Sequence, residues 1–346
     1  MIPTYHNVHN SFKLNGFHFD RDSLVRVAYS FIKEGEEFEK PIGDFILDWF
    51  DERPYIDLQT SGSTGAPKII RTSKQAMVES AIATGDFFDL RPGNRALQCL
   101  PVKYIAGKLM FIRAFIIGLD MDFVEPSANP MEKKGDIKYD FIAMVPLQAK
   151  NSLKELHNVK KVIIGGSMIS KSLEAELVKL PTKVYETYGM TETITHIAAR
   201  KLGEKAFTVL PGVTVSYDDR NCLVIHAPRI SDEVIVTNDL VELLNENQFV
   251  FVGRVDNVIN SGGIKLIPEQ IEEKLSHQLT QRFFIASKPD TELGEKVILV
   301  IEGEAFDLAD DLYKDLDKYE KPKEVLFMPK FKETATGKIM RKESLQ

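Results

Sequence analysis

One short stretch of this sequence, TSGSTGAPK at residues 60–68, combines hydroxyl groups, glycines and a lysine. Glycine lets a backbone turn tightly, and successive amide N–H groups in such a turn form a concavity that suits an anion. Hydroxyl groups add hydrogen-bond donors, and the lysine adds one positive charge. We therefore expect the stretch to bind phosphate groups. Its candidate phosphate-binding residues are Thr60, Ser61, Gly62, Ser63, Thr64, Gly65 and Lys68.

Two other interpretations of this stretch have to be weighed. The P-loop of nucleoside triphosphatases needs glycine and lysine side by side, then Ser or Thr, then a helix. Here Pro67 precedes Lys68 and Ile69 follows it, so the stretch is not a P-loop. A flexible surface turn between strand-like residues 55–58 and 69–70 stays open on this stretch alone.

Other stretches place glycines, hydroxyls or charges directly after apolar runs. Exposed turns at the carboxyl ends of parallel strands are where α/β sheets bind their ligands. Taken alone, each stretch is equally typical of a helix cap, an ordinary turn or a solvated basic tail. The stretches are GGS at 165–167, YETYGMTET at 185–193, TND at 237–239, GRVD at 253–256, NSGG at 260–263 and TGKIMR at 336–341.

The composition indicates a soluble globular protein. The chain has 346 residues, 43% of them hydrophobic, which is enough for two domains with a sizeable core. Its 44 basic and 51 acidic residues are interspersed and give a net charge of −7. This balance argues against a nucleic-acid partner and against an anionic membrane surface. Any phosphate group therefore has to be bound by a local group of residues.

The cysteines and the apolar runs indicate a cytoplasmic protein without a structural metal. Cys99 and Cys222 are far apart, and the seven histidines form no cluster with zinc spacing. The N-terminal residues lack the pattern of a signal peptide. The longest apolar segment, residues 109–119, is interrupted by Arg113 and is too short to span a bilayer, so we expect no membrane insertion.

The elements that must position these residues alternate between strand and helix, which predicts an α/β layer with buried parallel strands. From about residue 208 short strands predict an appended β-rich subdomain, and the last residues predict a small α+β domain. The predicted strands are 96–100, 121–124, 141–145, 161–164, 183–185, 213–217, 222–226, 234–236, 241–244, 249–252, 283–286, 297–301 and 325–328. The predicted helices are 105–117, 169–180, 268–275 and 308–316.

The stretches taken together, in this order, resemble the signature motifs of the adenylate-forming superfamily of acyl-CoA synthetases, luciferases and adenylation domains. The resemblance runs from about Leu58 to the end of the chain. It implies an AMP-binding N-terminal domain over residues 1–253, a hinge at 254–256 and a mobile C-terminal α+β lid over 257–346. The segment before the phosphate loop is shorter than is usual in the family.

The resemblance also implies the reaction and its substrates. A carboxylate attacks the α-phosphate of ATP to give an acyl-adenylate and pyrophosphate, and the thiol of coenzyme A then displaces AMP. An anion therefore meets a polyanion, and two like charges about 4 Å apart near a protein surface repel by about 4 kcal/mol. The resemblance assigns Lys338 to bridge the carboxylate and the α-phosphate, Thr191 to contact the α-phosphate, and Glu192 to hold Mg²⁺.

Adenosine needs a stacking face and acceptors for the ribose. By resemblance, Tyr188 supplies the aromatic wall, and Asp239 accepts the ribose hydroxyls with help from Arg254. The family usually has glycine where Asn238 stands, which bears on the geometry of this turn. The backbone near the adenine edge is assigned to Gly165, Gly166, Ser167 and Gly189.

The second half-reaction has to remove the lysine and admit a thiol. In the family the C-terminal domain swings about a hinge residue, which is Asp256 here. Gly262 and Gly263 are then expected to line the tunnel for the pantetheine arm of coenzyme A, where side chains would block it.

The identity of the acid follows from a narrower resemblance. The stretch PVKYIAGKLMFIRAFIIG at 101–118 and the short N-terminal segment most resemble the compact o-succinylbenzoate:CoA ligases of menaquinone biosynthesis, which usually have His where Tyr104 stands. Their substrate is an aromatic keto-diacid, and its second carboxylate needs a partner. Besides Tyr104, the candidate residues of the acyl pocket are Arg113, Thr193, Thr195 and His196.

Alternatives stay open at this point. Arg113 is equally well explained as a helix residue whose charged end reaches solvent, and His196 as a packed histidine. The chain could instead activate another aryl or short acyl carboxylate, for coenzyme A or for a carrier protein. A non-catalytic nucleotide-binding assembly protein is the alternative of another class, and a homodimer is compatible with the sequence.

Overall fold

The computed structural model describes residues 3–59, 69–309, 311–334 and 339–346. The first part of the chain alternates helices and strands, as its apolar pattern predicts. Its elements are β1 (Lys13–Leu14), β2 (Phe17–His18), α1 (Arg21–Glu34), α2 (Lys40–Phe50), β3 (Tyr55–Gln59), β4 (Ile69–Ser73), α3 (Lys74–Phe87), β5 (Arg95–Gln98), α4 (Ile105–Ile117), β6 (Asp120–Phe123), β7 (Tyr139–Met144), α5 (Pro146–Asn151), β8 (Val159–Ile164), α6 (Lys171–Leu177) and β9 (Lys183–Gly189).

After β9 the chain continues with the strands β10 (His196–Lys201), β11 (Phe207–Val209), β12 (Thr214–Tyr217), β13 (Cys222–His226), β14 (Ile235–Asn245) and β15 (Gln248–Arg254). Within the described residues, one sheet of thirteen strands has the order β12-β13-β14-β15-β11-β10-β9-β8-β7-β5-β6-β1-β2. Strands β6, β5, β7, β8 and β9 are parallel neighbours, which confirms the predicted parallel layer. Apolar residues of α1 to α4 cover one face of this layer, and those of α5 and α6 cover the other. The strands are therefore buried on both faces, as parallel sheets require.

The sheet becomes antiparallel beyond β9 and forms the predicted β-rich region. The prediction of two strands joined by a tight turn at 237–239 is wrong, because one strand runs through these residues. Register shifts within this strand let it bend without ending, and Asp239 pairs with Arg254.

The remaining residues form a smaller α+β unit with its own apolar core. The prediction of a helix at 308–316 is wrong for the described residues there, which form turns with hydrogen bonds between residues three apart. Aspartates are frequent in this segment and compete for backbone donors, which disfavours a helix. The elements are β16 (Ile259–Ser261), β17 (Ile264–Leu266), α7 (Pro268–Leu275), β18 (Phe283–Asp290), β19 (Gly294–Glu302), β20 (Glu324–Met328) and α8 (Arg341–Ser344). No helix within the described residues is long and apolar enough to cross a membrane.

The hairpin of β3 and β4 frames the 60–68 stretch and is fixed by a buried ion pair. Lys74 follows β4 directly, and its side chain is fully buried. Its ammonium donates to Oδ1 of Asp51 at 2.7 Å, where α2 ends. Arg53 also binds the Asp51 carboxylate, at 2.6 Å. Burial acts to raise the pKa of Asp51, but the hydrogen bonds from Lys74 and Arg53 lower it overall.

The two partners of this ion pair are expected to differ in their contribution to stability. Asp51→Ala leaves the ammonium of Lys74 buried without a carboxylate, and breaking a buried pair in this way costs about 3 kcal/mol or more. Lys74→Met keeps the side-chain volume and leaves Asp51 paired with Arg53, so we expect a clearly smaller loss. Urea unfolding of both variants measures the difference, with Asp48→Ala, which removes the other carboxylate on Arg53, as the control. Equal losses for Asp51→Ala and Lys74→Met would contradict this account.

Candidate active site

The carboxyl ends of β7, β8 and β9 meet at one edge of the sheet, and the GGS stretch follows β8 there. A Cβ atom at Gly165 would lie 2.7 Å from Oγ1 of Thr187 on β9, so the close approach of the two strands requires glycine. Gly166 has a φ of +89°, in the left-handed region that glycine tolerates. Ser167 is half-buried beside them. The result is a stretch of accessible backbone at the sheet edge.

Tyr188 lies at the end of β9, which is longer than predicted and contains half of the YETYGMTET stretch. Its hydroxyl donates to Oδ2 of Asp239 at 2.5 Å, and Arg254 approaches the other oxygen at 3.6 Å. Burial raises the pKa of the Tyr188 phenol, and the charge of Asp239 raises it further, so the phenol stays protonated as a donor. The rings of Phe249 and Tyr188 meet edge to face at 5.2 Å. The predicted adenosine residues Tyr188, Asp239 and Arg254 are therefore brought together.

The chain reverses between β9 and β10 in a tight turn. A Cβ atom at Gly189 would lie 2.4 Å from the carbonyl oxygen of Thr195, so only glycine fits. The hydroxyl oxygen of the fully buried Thr193 lies 2.9 Å from the carbonyl oxygen of Met190 and 2.7 Å from that of Thr195, so its single proton is shared between them. Ile194 has a φ of +62°, which is strained for a β-branched residue and costs on the order of 1–3 kcal/mol. The hydroxyl of Thr193 is thus engaged inside the turn.

Thr191 and Glu192 form the exposed tip of this turn. They project at the same edge of the sheet as the GGS stretch because β8 and β9 are parallel neighbours. An exposed carboxylate beside a phosphate site is a suitable ligand for a hard cation such as Mg²⁺. The position is compatible with the predicted roles of both residues.

A buried pair, Arg113 and His196, lies between α4 and β10. Arg113 is 2% exposed and His196 is 8% exposed. Nη2 of Arg113 lies 3.4 Å from Nδ1 of His196, and the hydroxyl of Thr195 lies 3.4 Å from the same nitrogen. Burial lowers the pKa of His196 well below its usual value, and the charge of Arg113 lowers it further, so the imidazole is neutral. Since a guanidinium only donates, Nδ1 accepts and Nε2 carries the proton.

This pair has unused hydrogen-bond donors. Within the part of the chain that the structure describes, Nε of Arg113 and Nε2 of His196 are buried without a partner. No carboxylate among the described residues is paired with Arg113, whose Nη1 has only the sulfur of Met110, at 3.7 Å. Burial lowers the pKa of Arg113 to about 10, so it is still charged at neutral pH. The interpretation of Arg113 as a residue that reaches solvent is therefore wrong.

Tyr104 is not part of this pair. It precedes the first turn of α4, nine residues before Arg113, so the two are about 13 Å apart along the helix axis. Tyr104 is half-buried and its backbone bonds to the carbonyl of Pro101 at 3.1 Å. Its predicted place in the acyl pocket stays a prediction.

The remaining candidate residues lie at or beyond the end of β15. Asp256 is exposed in a short 3-10 turn, Val255–Asn257. Gly262 and Gly263 join β16 to β17 with φ values of +58° and +81°. Among the described residues nothing lies within 4 Å of a Cβ atom added at Gly263. In this arrangement the glycines are required by the backbone conformation rather than by crowding.

Two predicted sites lie outside the described residues, namely the phosphate loop at 60–68 and Lys338. The residues on either side of each site are described. Strands β3 and β4 flank the phosphate loop, and Glu333 and Ile339, which form an isolated antiparallel bridge, flank Lys338.

The segment after Lys338 is fixed to α7 by a buried ionic cluster that the sequence motifs did not indicate. Arg341 binds both oxygens of Glu272 at 2.9 Å and approaches Glu269 at 3.7 Å. Glu269 in turn accepts from the amide of Asn257, next to the predicted hinge, at 2.6 Å. The cluster therefore connects the residues around the predicted hinge with those around Lys338.

A second pair that sequence reasoning missed holds the GGS stretch against β9. Arg200 on β10 binds Glu186 on β9 at 2.6 Å, and both side chains are largely buried. Glu186 also accepts from the amide of Ile169, just beyond the GGS stretch, at 3.4 Å. The cross-strand pairing of residues 186 and 200 brings these charges together, and no local pattern signals it.

The fold, with Tyr188, Asp239, Arg254 and the 190–195 turn at one sheet edge, is the arrangement expected of an adenylating enzyme. A model of the family "AMP-binding enzyme" matches residues 52–220. The acyl-CoA synthetase (AMP-forming)/AMP-acid ligase II-like protein of Dyadobacter fermentans is 34% identical, with 93% of this chain and 97% of that one covered and a TM-score of 0.63. The chain belongs to the AMP-binding enzyme family and is an AMP-forming acyl-CoA ligase.

One further comparison agrees with this class, and another agrees with the fold. The 2-succinylbenzoate–CoA ligase of Listeria monocytogenes serotype 4b is 26% identical over 362 residues, which cover 92% of this chain and 76% of that protein. The o-succinylbenzoate CoA synthetase of Bacillus subtilis, in complex with its acyl-adenylate intermediate, is 19% identical with a TM-score of 0.73, covering 83% of this chain and 68% of that one. That enzyme has also been solved with ATP and a magnesium ion.

The cluster around Glu272 predicts a pH dependence of stability. Burial raises the pKa of Glu272 from 4.5 to about 7, although the charge of Arg341 and the amide of Ile285 act to lower it and Glu269 acts to raise it. A raised pKa means that the folded state binds the proton more tightly, so this contribution is present below about pH 4.5 and is lost as the pH rises through about 7.

Glu272→Gln should therefore lose less stability than the wild type between pH 5.5 and pH 8. Thermal unfolding at several pH values measures this, with Glu273→Gln as the control, because Glu273 is an exposed carboxylate on the same helix. Parallel profiles for the wild type and Glu272→Gln would show that Glu272 is ionised throughout this range.

Proposed function

We propose that this ligase activates o-succinylbenzoate with ATP and transfers the acyl group to coenzyme A. The observation that carries the proposal is the buried guanidinium of Arg113, which has no carboxylate partner among the described residues. An isolated buried charge is costly and is normally paired. The names of the relatives, which act on a diacid, support the same substrate.

The chemistry of the pair favours a carboxylate ligand. Arg113 and the neutral His196 both present donors without partners, and a carboxylate accepts several hydrogen bonds. The three residues before Arg113 in the helix, Met110, Phe111 and Ile112, are apolar and fully buried. We assign the ring carboxylate of o-succinylbenzoate to this pair, which leaves the succinyl carboxylate for activation. Thr195 helps to orient His196 in this proposal.

The proposed first half-reaction takes place at the carboxyl edge of β8 and β9. An oxygen of the succinyl carboxylate attacks the α-phosphorus of ATP, and the bond to the β-phosphate oxygen breaks with release of pyrophosphate. Tyr188, Asp239 and Arg254 hold adenosine, because an acidic side chain held by a phenol and a guanidinium suits a ribose diol. We assign Glu192 to hold Mg²⁺, which would neutralise phosphate charge when bound, and Thr191 to contact the α-phosphate.

The proposed second half-reaction forms the thioester. The sulfur of coenzyme A attacks the acyl carbon, and the bond to the AMP oxygen breaks with release of AMP. The lid formed by residues 257–346 turns about Asp256 between the two half-reactions, so that Lys338 serves the first and the turn at Gly262 and Gly263 serves the second.

Selectivity for the diacid tests the role of Arg113. We expect kcat/KM for o-succinylbenzoate to exceed that for the mono-acid without the ring carboxylate by about 100-fold or more, because a charged hydrogen bond is lost. Arg113→Met should reduce the ratio of the two kcat/KM values, mainly by lowering kcat/KM for the diacid. Rates of pyrophosphate release with both acids give this ratio. If the ratio is unchanged in the variant, Arg113 does not bind the ring carboxylate.

The stability of Arg113→Met separates recognition from folding. Replacing an unpaired buried charge by an apolar side chain of similar length should leave the melting temperature of the free protein unchanged or raise it. A large decrease would instead indicate that Arg113 serves the core.

The two half-reactions test the role of Lys338. Lys338→Ala should abolish adenylation, but leave thioester formation from supplied acyl-adenylate within about tenfold of the wild type, because the lid removes this residue before the thiol attacks. Separate assays of pyrophosphate release and of thioester formation measure the two steps. Equal losses in both steps would contradict the two-state lid.

A further inference from the structure

Asn238 contacts the residue that the proposed function treats as the hinge. Its side-chain amide donates to both oxygens of Asp256, at 3.3 and 3.2 Å. Its own oxygen accepts from Nη1 of Arg220 at 3.0 Å. Since a guanidinium only donates and a carboxylate only accepts, these two neighbours fix which way the amide of Asn238 points.

Arg220 is itself held in place. It binds Asp218, with Nε to Oδ2 at 2.8 Å, and the carbonyl oxygen of Thr237 at 3.1 Å. Asp218 also accepts from the backbone amide of Cys222 at 2.9 Å, which ties the arrangement to the turn before β13. The amide of Asn238 is therefore directed at Asp256 by groups that all lie before the hinge.

The contacts of Asn238 belong to a closed network that includes Asp239, the candidate ribose-binding residue. Asp239 follows Asn238 in the chain and pairs with Arg254 across the sheet. Arg254 lies 3.6 Å from Asp239 and 3.2 Å from Asp256. Asp256 thus has donors from both Asn238 and Arg254, and turning it away from β14 breaks both of these contacts.

We propose that Asn238 is a positioning residue that links nucleotide binding at Asp239 to the angle of the hinge at Asp256. The inference rests on the proposed function, which assigns Asp239 to the ribose and Asp256 to the hinge. The resembling family usually has glycine at this place, and glycine has no side chain to make the contact. This chain therefore adds a contact that favours the hinge state seen here.

The inference takes the hinge state seen here as the one that serves adenylation, and the state in which the turn at Gly262 and Gly263 lines a tunnel as the other. Other contacts that cross from the first part of the chain to the lid accompany this state, such as Lys171 with Glu273 at 3.2 Å. Removing the contact of Asn238 with Asp256 should thus help the lid to leave this state, which favours thioester formation.

The test compares the two half-reactions in the full chain. The quantity compared is the rate of thioester formation from supplied acyl-adenylate divided by the rate of adenylation. For Asn238→Gly we expect this ratio to rise about three- to tenfold, because partly exposed hydrogen bonds to a charge are lost. Asn238→Asp should raise it at least as much, because two carboxylates then face each other. The double variant N238D/D256N restores one donor facing one acceptor and should return the ratio toward that of the wild type.

Lys171→Met is the matched control, because it breaks a contact between the same two parts of the chain away from Asp239. It should leave the KM for ATP unchanged, whereas Asn238→Gly should raise it. An unchanged ratio in Asn238→Gly, or the same shift in ratio and KM in Lys171→Met, would overturn the inference.

A measurement without catalysis separates this inference from the proposed function. Both native cysteines are buried. Cysteines introduced at the exposed positions Lys179 and Lys314 should therefore be the ones that react with a spin-label reagent. With ATP, the distance distribution between the labels should broaden in Asn238→Gly relative to the parent. Identical distributions would refute the role of Asn238 even if no acid is activated, whereas failure of the proposed function would appear as absence of pyrophosphate release in the wild type.

Discussion

The change of direction in the large sheet is the constraint on which the candidate site depends. Strands β5 to β9 are parallel, so their carboxyl ends share one edge, and β10 then returns antiparallel to β9. The reversal between them is possible only because Gly189 lets residues 195 and 196 approach its backbone. Tyr188, the 190–195 turn and His196 are thereby placed within one short run of chain at the edge.

Three residues at or packed against the turn between β9 and β10 have features that cost stability. Arg113 and His196 keep unused donors in a buried setting, and Ile194 holds a strained backbone conformation in the turn. Such groups destabilise a folded chain unless a ligand or the surrounding structure compensates for them. By contrast, the buried charges of Lys74 and Arg200 each meet an opposite charge, that of Asp51 and that of Glu186.

Local patterns in the sequence predicted much of the fold. Residues 105–117 and 268–275 are helices with the predicted bounds, because Gly118 ends the first in a left-handed conformation and Pro268 begins the second. The prediction of secondary structure failed where polar residues are typical of a turn but pairing with distant strands determines the conformation. Thr237, Asn238 and Asp239 stay in a strand because β13 and β15 pair with β14 on both sides.

Part of the candidate site was predicted, and the contacts between residues distant in the chain were not. Tyr188, Asp239 and Arg254 were grouped by resemblance, and their contacts agree with that grouping. The pairing of Arg113 with His196 and that of Asn238 with Asp256 join residues far apart in the chain, and no spacing rule signals them. The link from Asn257 through Glu269 to Arg341 is of the same kind.

In the proposed reaction a carboxylate oxygen attacks the α-phosphate of ATP at this sheet edge. The step can be followed with o-succinylbenzoate labelled with ¹⁸O in its succinyl carboxylate, incubated with the protein, ATP and coenzyme A. Mass spectrometry of the products follows the label. The account predicts that AMP gains one ¹⁸O atom for each thioester formed. Unlabelled AMP, or label in pyrophosphate or inorganic phosphate, would contradict it.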